Sequence, residues 1–480
     1  MRIRQFDLPG LGHLSTLIAD DASGTAAVVD PRRDVDAYLA AATADGVLIT
    51  HVIETHLHND YVSGGRELAA LTGATHVIGA GAGLAYDHRG VRHGDTVDLG
   101  GLRFKVLETP GHTPEHVSYA VADTSRAEEP LLLFTGGSLL VGAVGRTDLL
   151  GVDTAVPYAR AMFRSLHEVI LPHEDFVSVY PTHGAGSLCS TGIASTPHST
   201  IGFERRYNPM IQSTEVDEFV RVLLRDQPAF PHYFARMRPL NQAGPALLGG
   251  GVPEARAVSV EEVRDALAGD ALLIDSRQPF AHAEAHIPGS VSIPADSSFG
   301  TWLGWVVDAD RPLILLLDDP ADWDDLIRQA LRIGYEQVIG YLVGGIEAWR
   351  EAGLPLASGR RLTVDELAGR LAAEGPEAPL VIDVRQASEF ATGHVPGSIH
   401  IRGGDLQSRL RDLPRDRPIA TICASGFRSS IAASLLRRAG FSDVWSVADG
   451  VPAWQARGFP VDRVRDSEAA VSAATVPHSH

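Results

Sequence analysis

The chain has 480 residues, 44% hydrophobic and 21% charged, which is apolar material for about three cores rather than one and excludes wholesale disorder. A formal net charge of −19 gives a surface that repels phosphate backbones and anionic lipid, so neither nucleic acid nor membrane is an expected partner. The two cysteines, Cys189 and Cys423, make no disulfide framework, the N-terminal stretch lacks the apolar core of a signal peptide, and no apolar run reaches the about 18 residues of a membrane span; a cytoplasmic location with reduced thiols is expected.

Residues 1–245 read as a mixed α/β unit. Short Val/Ile/Leu runs punctuated by glycine predict strands over 25–29, 47–54, 76–78, 104–108, 131–134 and 176–179, with a helix over 65–71. Directly after the strand 47–54 comes Thr55-His56-Leu57-His58-Asn59-Asp60-Tyr61. His56, His58 and Asp60 alternate, so a strand-to-loop bend can turn all three toward one point. His112 follows in Thr109-Pro110-Gly111-His112-Thr113, and His183 in Tyr180-Pro181-Thr182-His183-Gly184. Imidazole combined with carboxylate suits zinc or non-haem iron. A lone histidine is more often a satisfied core residue, but these candidates in phased motifs favour a metal-site origin. Gly244–Val252 (GPALLGGGV) reads as a linker.

Beyond it lies an internal repeat. Ile274-Asp275-Ser276-Arg277 recurs as Ile382-Asp383-Val384-Arg385, and His286-Ile287-Pro288-Gly289-Ser290 as His394-Val395-Pro396-Gly397-Ser398, both at an offset of 108. Gly345, Trp349, Gly353 and Pro355 recur as Gly450, Trp454, Gly458 and Pro460 at an offset of 105. Each copy is of ordinary domain size, and the expected boundaries are 257–358 and 361–463, with 464–480 a disordered tail. In the second copy Thr363 caps a helix over 364–373; strands are predicted over 380–384, 419–423 and 444–447, and a helix over 429–439. That alternation predicts a parallel α/β sheet.

Ile422-Cys423-Ala424-Ser425-Gly426-Phe427-Arg428-Ser429-Ser430 follows a strand and opens a helix. The backbone N–H groups of Ala424, Ser425, Gly426, Phe427 and Ser429 can curl toward one point, the helix N-terminus adds positive potential, and such surroundings favour the thiolate of Cys423. Gly426 permits the turn and Arg428 can hold an anionic sulfur donor. In the first copy the Cys423 position falls on Leu317 or Asp318, so that copy has no thiol and its carboxylates repel a sulfur anion.

With Asp383-Val384-Arg385, Glu389-Phe390, Gly393 to Ser398 and Gly450-Val451-Pro452-Ala453-Trp454, the second copy resembles the rhodanese family over the whole domain. The resemblance implies that Cys423 takes up a sulfane sulfur as a persulfide and passes it to an acceptor, and that the first copy is a structural or docking relic. Residues 1–200 resemble the metallo-β-lactamase superfamily, an αββα sandwich with metal at one edge of its two sheets, and within it the persulfide dioxygenase branch fused to rhodanese. The carriers of that likeness are His58-Asn59-Asp60-Tyr61, Gly145-Arg146-Thr147-Asp148 and Gly184 to Cys189. It implies one Fe(II) per chain held by His56, His112 and an aspartate after Phe134-Thr135-Gly136, with His58, Asp60, Tyr61 and His183 in an outer shell or a vacant second site. Arg146, Asp148 and Cys189 are implied near substrate, and a homo-oligomer is expected.

At the aspartate position the chain has Gly137, which offers no ligand. The resemblances imply, as the function expected, oxidation of a low-molecular-weight thiol persulfide by O2, coupled through Cys423 to forming or using thiosulfate, with sulfite as the joining partner. Two alternatives stand beside it: a metal domain silenced by Gly137 with only the rhodanese active, or a zinc thioester hydrolase of the glyoxalase II type.

Overall fold

The computed structural model describes all residues except Asp226, Glu374, Pro376, Glu377 and 465–480, so the expected tail lies, apart from Val464, outside the described residues. The chain separates into two compact units: Met1–Pro253 with Ile327–Tyr335, and Glu254–Leu326 with Glu336–His480. Among the described residues no helix is long and apolar enough to cross a membrane.

Unit 1 is built on two six-stranded sheets. The first comprises β1 (Arg2–Leu8), β2 (His13–Asp20), β3 (Thr25–Val29), β4 (Leu48–Ile53), β5 (Thr75–Gly79) and β6 (Arg89–Val91), in that order. The second draws on β7 (Thr96–Leu99), β8 (Leu102–Glu108), β9 (Val117–Asp123) and β10 (Leu132–Gly136). A two-stranded ribbon, β11 (Leu139–Leu140) with β12 (Ala143–Val144), precedes its last members, β13 (Ser178–Pro181) and β14 (Ser199–Thr200); the spatial order is β14-β13-β10-β9-β8-β7. Between the sheets, Ile18, Val29 and Ile53 meet Phe104, Tyr119 and Phe134. On the outer face of the first sheet, Leu17, Val28 and Val52 pack on Tyr38 and Leu68 of helices Asp36–Asp45 and Gly65–Thr72. On the outer face of the second, Leu107, Leu133 and Val179 pack on Met162 and Phe219 of helices Val152–Arg164 and Val216–Leu224. This is an αββα sandwich. Burial on both faces explains why β3 carries a near-continuous apolar run instead of alternation.

The stretch read as a linker is strapped to unit 1. Glu67 accepts from the backbone N–H groups of Leu248 and Gly250, each at 2.7 Å, and Arg66 donates to the Gly244 and Pro245 carbonyls at 3.0 and 2.8 Å. Two buried or half-buried side chains on one helix, Glu67 and Arg66, hold it.

Unit 2 contains two five-stranded sheets of the same topology. Strands β15 (Ala257–Val258), β16 (Leu272–Asp275), β17 (Val291–Ser292), β18 (Leu313–Leu316) and β19 (Val338–Leu342) are ordered β15-β19-β18-β16-β17. Strands β20 (Arg360–Leu362), β21 (Leu380–Asp383), β22 (Ile399–His400), β23 (Ile419–Ile422) and β24 (Val444–Val447) are ordered β20-β24-β23-β21-β22. The pairings within both sheets are parallel. The repeated residues have the same structural duties in each copy. Asp275 grips Arg277 as Asp383 grips Arg385, both pairs buried. The Trp349 indole donates to the Pro355 carbonyl at 3.0 Å, and Trp454 to Pro460 at 2.8 Å. Capping boxes Ser259–Glu262 and Thr363–Glu366 open corresponding helices.

Candidate functional site

In unit 1 the loops leaving β4, β8, β10 and β13 bring together residues far apart in sequence. His56 and His58 follow β4, His112 and His116 lie between β8 and β9, Gly137 follows β10, and His183 follows β13. His56, His112 and His183 are fully buried and each offers a ligand atom within 4.8 Å of the others. Asp60, His183 and Cys189 form a second such group, sharing His183.

The rings are oriented by bonds at Nδ1. His56 Nδ1 is 2.8 Å from the Thr55 hydroxyl, and His112 Nδ1 donates to the Arg146 carbonyl at 2.8 Å. In both, Nε2 is buried with no hydrogen-bond partner among the described residues. Burial and neighbouring imidazoles hold His56 well below its ordinary pKa, and burial with His183 lowers His112 to about 3, so both present neutral lone pairs. An orphaned neutral imidazole nitrogen in a dry pocket is what a metal ligand looks like before the ion is added. The residues therefore fit the metal that the αββα fold implies.

The other expected residues fall around this centre. His58 stacks on Tyr61 with ring centroids 4.4 Å apart, and its Nε2 stands 3.4 Å from Asp30. Tyr61 is fully buried, and burial pushes its phenol well above the ordinary value. Asp60 Oδ2 lies 3.3 Å from His183 Nδ1. Burial pushes the Asp60 carboxyl up, but His183 and His58 outweigh it and the net position is below the usual range. Burial pushes the Cys189 thiol up, with Asp60 adding to it. Arg146 is buried, and its guanidinium is bound bidentately by Asp148 (2.7 and 2.8 Å) and donates to the Leu188 and Pro228 carbonyls. It fixes the carbonyl that orients His112 instead of presenting a free cation. At Gly137 an added Cβ would fall 2.8 Å from His112 Cγ and 2.9 Å from Nε2, so the ring occupies the space a carboxylate stem would need.

Several contributors went unread in the sequence. Asp30, at φ 50° the single non-glycine positive-φ residue among those described, accepts from the Thr55 N–H (2.7 Å), the Thr55 hydroxyl (2.9 Å) and the Thr182 hydroxyl. It ties the ends of β3, β4 and β13 together beneath the histidines. His116 accepts from the Gly137 N–H at 2.9 Å and stacks on His56. Glu115 accepts from the Leu57 N–H and is clamped by Arg238 at 3.0 and 2.8 Å. Asn241 and Tyr233 pin the backbone of the 58–63 loop. A buried Asp after a strand Val-Val was the available signal for Asp30; the remainder depend on long-range packing.

In unit 2, Cys423 follows β23 directly and is fully buried, and helix Phe427–Arg438 begins four residues on. The Gly426 N–H donates to Cys423 Sγ at 3.2 Å. Gly426 has φ 87°, and a Cβ there would fall 2.9 Å from the Ala448 carbonyl carbon, so this turn requires glycine. Ser425 is exposed and Ala424 half-buried, while the Ser429 hydroxyl is taken by the Gly426 and Val447 carbonyls. Arg428 is bound bidentately by Glu389 at 2.7 and 2.8 Å, so it braces the loop from β23 to the neighbouring helix. Phe427 meets Trp302 of the first copy, ring centroids 6.4 Å apart. Because β18 ends at Leu316 as β23 ends at Ile422, the Cys423 position of the first copy is the buried Leu317, with exposed Asp318 next.

Comparison with known proteins agrees with this architecture. Residues 8–168 match the metallo-beta-lactamase superfamily, and residues 259–352 and 363–457 each match the rhodanese-like domain. A hydroxyacylglutathione hydrolase of Rhodospirillum rubrum is 33% identical over 215 residues, 42% of this chain and 83% of that protein. A mitochondrial persulfide dioxygenase of Bos taurus is 29% identical over 225 residues, 46% of this chain and 80% of that protein. The crystal structure of a metallo-beta-lactamase from Staphylococcus aureus has a TM-score of 0.63 and 32% identity, covering 71% of this chain and 98% of that one. The chain belongs to the metallo-β-lactamase superfamily, its N-terminal domain of that fold being followed in sequence by two tandem rhodanese-like domains.

Proposed function

We propose that this chain is an enzyme of sulfane-sulfur metabolism: it oxidises a low-molecular-weight thiol persulfide with O2 at an iron held in unit 1, and it carries sulfur on Cys423 in unit 2. The observation that carries the reading is the coexistence of two chemistries. Unit 1 has buried, orphaned imidazole nitrogens on His56 and His112, and unit 2 has a strand-to-helix thiol loop with a backbone N–H on Sγ. Similarity to persulfide dioxygenases supports the first, and the rhodanese-like match the second.

An iron at this site supplies the redox chemistry between dioxygen and persulfide. The chain's own part is to hold it through His56 and His112, to fix those rings through Thr55 and Arg146, and to exclude bulk water by their burial. At the second site the thiolate of Cys423 attacks the outer sulfur of thiosulfate; an S–S bond forms to Cys423, the donor S–S bond breaks, and sulfite leaves with the electron pair. The reverse step joins that sulfur to sulfite. The Gly426 N–H and the N-terminus of helix Phe427–Arg438 face the persulfide anion.

The purified full chain is loaded with Fe(II) and mixed with glutathione persulfide under an oxygen electrode. Iron binding with oxygen uptake is expected, along with thiosulfate:cyanide transfer that Cys423→Ser abolishes. A second reading, in which only the rhodanese works, draws on Gly137 and the His112 ring standing where a carboxylate stem would go. It predicts transfer without iron or oxygen uptake. A zinc thioester hydrolase, suggested by the hydroxyacylglutathione hydrolase relative, lacks the same carboxylate and has Tyr61 in its loop. Hydrolysis of a glutathione thioester would support it.

A further inference from the structure

We propose that the ion in unit 1 is held by three imidazoles, His56, His112 and His183, with Asp60 as the positioning residue behind His183. This rests on the reading of unit 1 as a metal enzyme and replaces two histidines and a carboxylate by an all-imidazole set.

His56, His112 and His183 are buried, and their ligand atoms lie within 4.8 Å of one another. Two rings are hydrogen-bonded at Nδ1, His56 to the Thr55 hydroxyl and His112 to the Arg146 carbonyl, each at 2.8 Å; His183 Nδ1 makes no hydrogen bond among the described residues but lies 3.3 Å from the Asp60 carboxylate. Each Nε2 is without a hydrogen-bond partner among the described residues. A metal-bound histidine typically gives its other nitrogen to a carboxylate, carbonyl or hydroxyl; His56 and His112 follow that pattern by hydrogen bonds, and His183 Nδ1 faces the Asp60 carboxylate at 3.3 Å.

The alternatives for a third ligand are weaker. Gly137 has no side chain, and His112 fills the room for one. His58 Nε2 stands 3.4 Å from Asp30, and among the described residues His58 belongs to neither group of converging ligand atoms. Asp60 groups with His183 and Cys189, not with His56 and His112. So the loss of the carboxylate at position 137 is met by the histidine after β13. With no anion among its ligands, a divalent ion keeps its full double charge, and such a centre favours an anionic sulfur ligand, a persulfide, over a neutral thioester.

The test loads the full chain anaerobically with Fe(II) alone and reads iron affinity and the X-ray absorption spectrum. Three imidazoles and no carboxylate are expected in the wild-type spectrum. His183→Ala should lower iron affinity at least about tenfold, as should His56→Ala. Asp60→Asn should weaken binding about tenfold and shift the electron paramagnetic resonance of the nitrosyl complex; an unchanged signal would overturn its role. Full iron affinity in His183→Ala, or a wild-type spectrum with two imidazoles and a carboxylate, would overturn the three-imidazole set and leave the dioxygenase reading standing. A wild-type chain that takes up no iron would overturn both. Should a variant misfold, the wild-type spectrum decides alone.

Discussion

Gly137 gives the sharpest test of the site's packing, because motif reasoning and structure disagree about it. By motif, Gly137→Asp restores a ligand and should raise iron binding. By structure, the first added carbon already meets the His112 ring, 2.8 Å from Cγ and 2.9 Å from Nε2. Ordinary carbon contacts are about 3.5–4.0 Å, so the ring must retreat by about 1 Å. It is held by its bond to the Arg146 carbonyl, and Arg146 in turn by its N–H on Cys189 and its guanidinium on Asp148. Losing that hydrogen bond costs about 1 kcal/mol, and overpacking adds about 1–3 kcal/mol. The sum, about 2–4 kcal/mol, corresponds to a fall of about 4–16 °C in the melting temperature of a unit this size. Gly137→Ala and Gly137→Asp should therefore destabilise the chelated full chain alike, and Gly137→Asp should gain no iron affinity, since it displaces a ligand to add one. Calorimetry reads the unit 1 transition. All six tryptophans, Trp302, Trp305, Trp323, Trp349, Trp445 and Trp454, belong to unit 2, so their fluorescence melt serves as a control that should not move. A Gly137→Ala chain melting within about 1 °C of wild type would refute the packing argument.

Three further outcomes are expected. Leu317→Cys should give the first rhodanese copy no measurable transfer activity when Cys423 is replaced by serine. Pro320 and the acidic run Asp318-Asp319 stand where the second copy has its N–H loop, and cyanide transfer restored by Leu317→Cys would contradict this. Glu67→Ala should release the 244–252 strap and speed limited proteolysis there severalfold with little change elsewhere; an unchanged cleavage rate would mean the two 2.7 Å bonds do not hold it. Burial pushes the Glu389 carboxyl up, but Arg428 and the Gln386 N–H outweigh it and leave it below the usual carboxylate range. The Glu389–Arg428 brace is thus fully present above the ordinary glutamate pKa, about 4.3, and is lost as pH falls through the depressed value. Glu389→Gln should abolish the part of the acid-side loss of cyanide transfer that this brace causes. An acid limb identical in wild type and variant would refute it.

The repeat was legible because its marks are local and chemical. Asp383 with Arg385, Trp454 with Pro460 and the Thr363 capping box act within a few residues, so the same letters recur where the same bonds recur. Cys423 was legible for the same reason: its loop is a continuous stretch between a strand and a helix. His56 and His112 as candidate ligands, and His183 as an outer-shell candidate, were legible too, since a strand end followed by a histidine is a local pattern. Their partnership was not. His56 and His183 are brought within reach by parallel strands of different sheets, and nothing in the spacing of 127 residues fixes that distance. Nor could composition show that Asp30 stitches three strand ends, that Arg146 is committed to Asp148 and to the Leu188 and Pro228 carbonyls, or that His112 fills the space beside Gly137. The sequence by itself determined which candidate groups are present and on which elements. Only the tertiary structure decided which side chains share a pocket, because that depends on sheet packing, where each contact is set by residues remote in the chain.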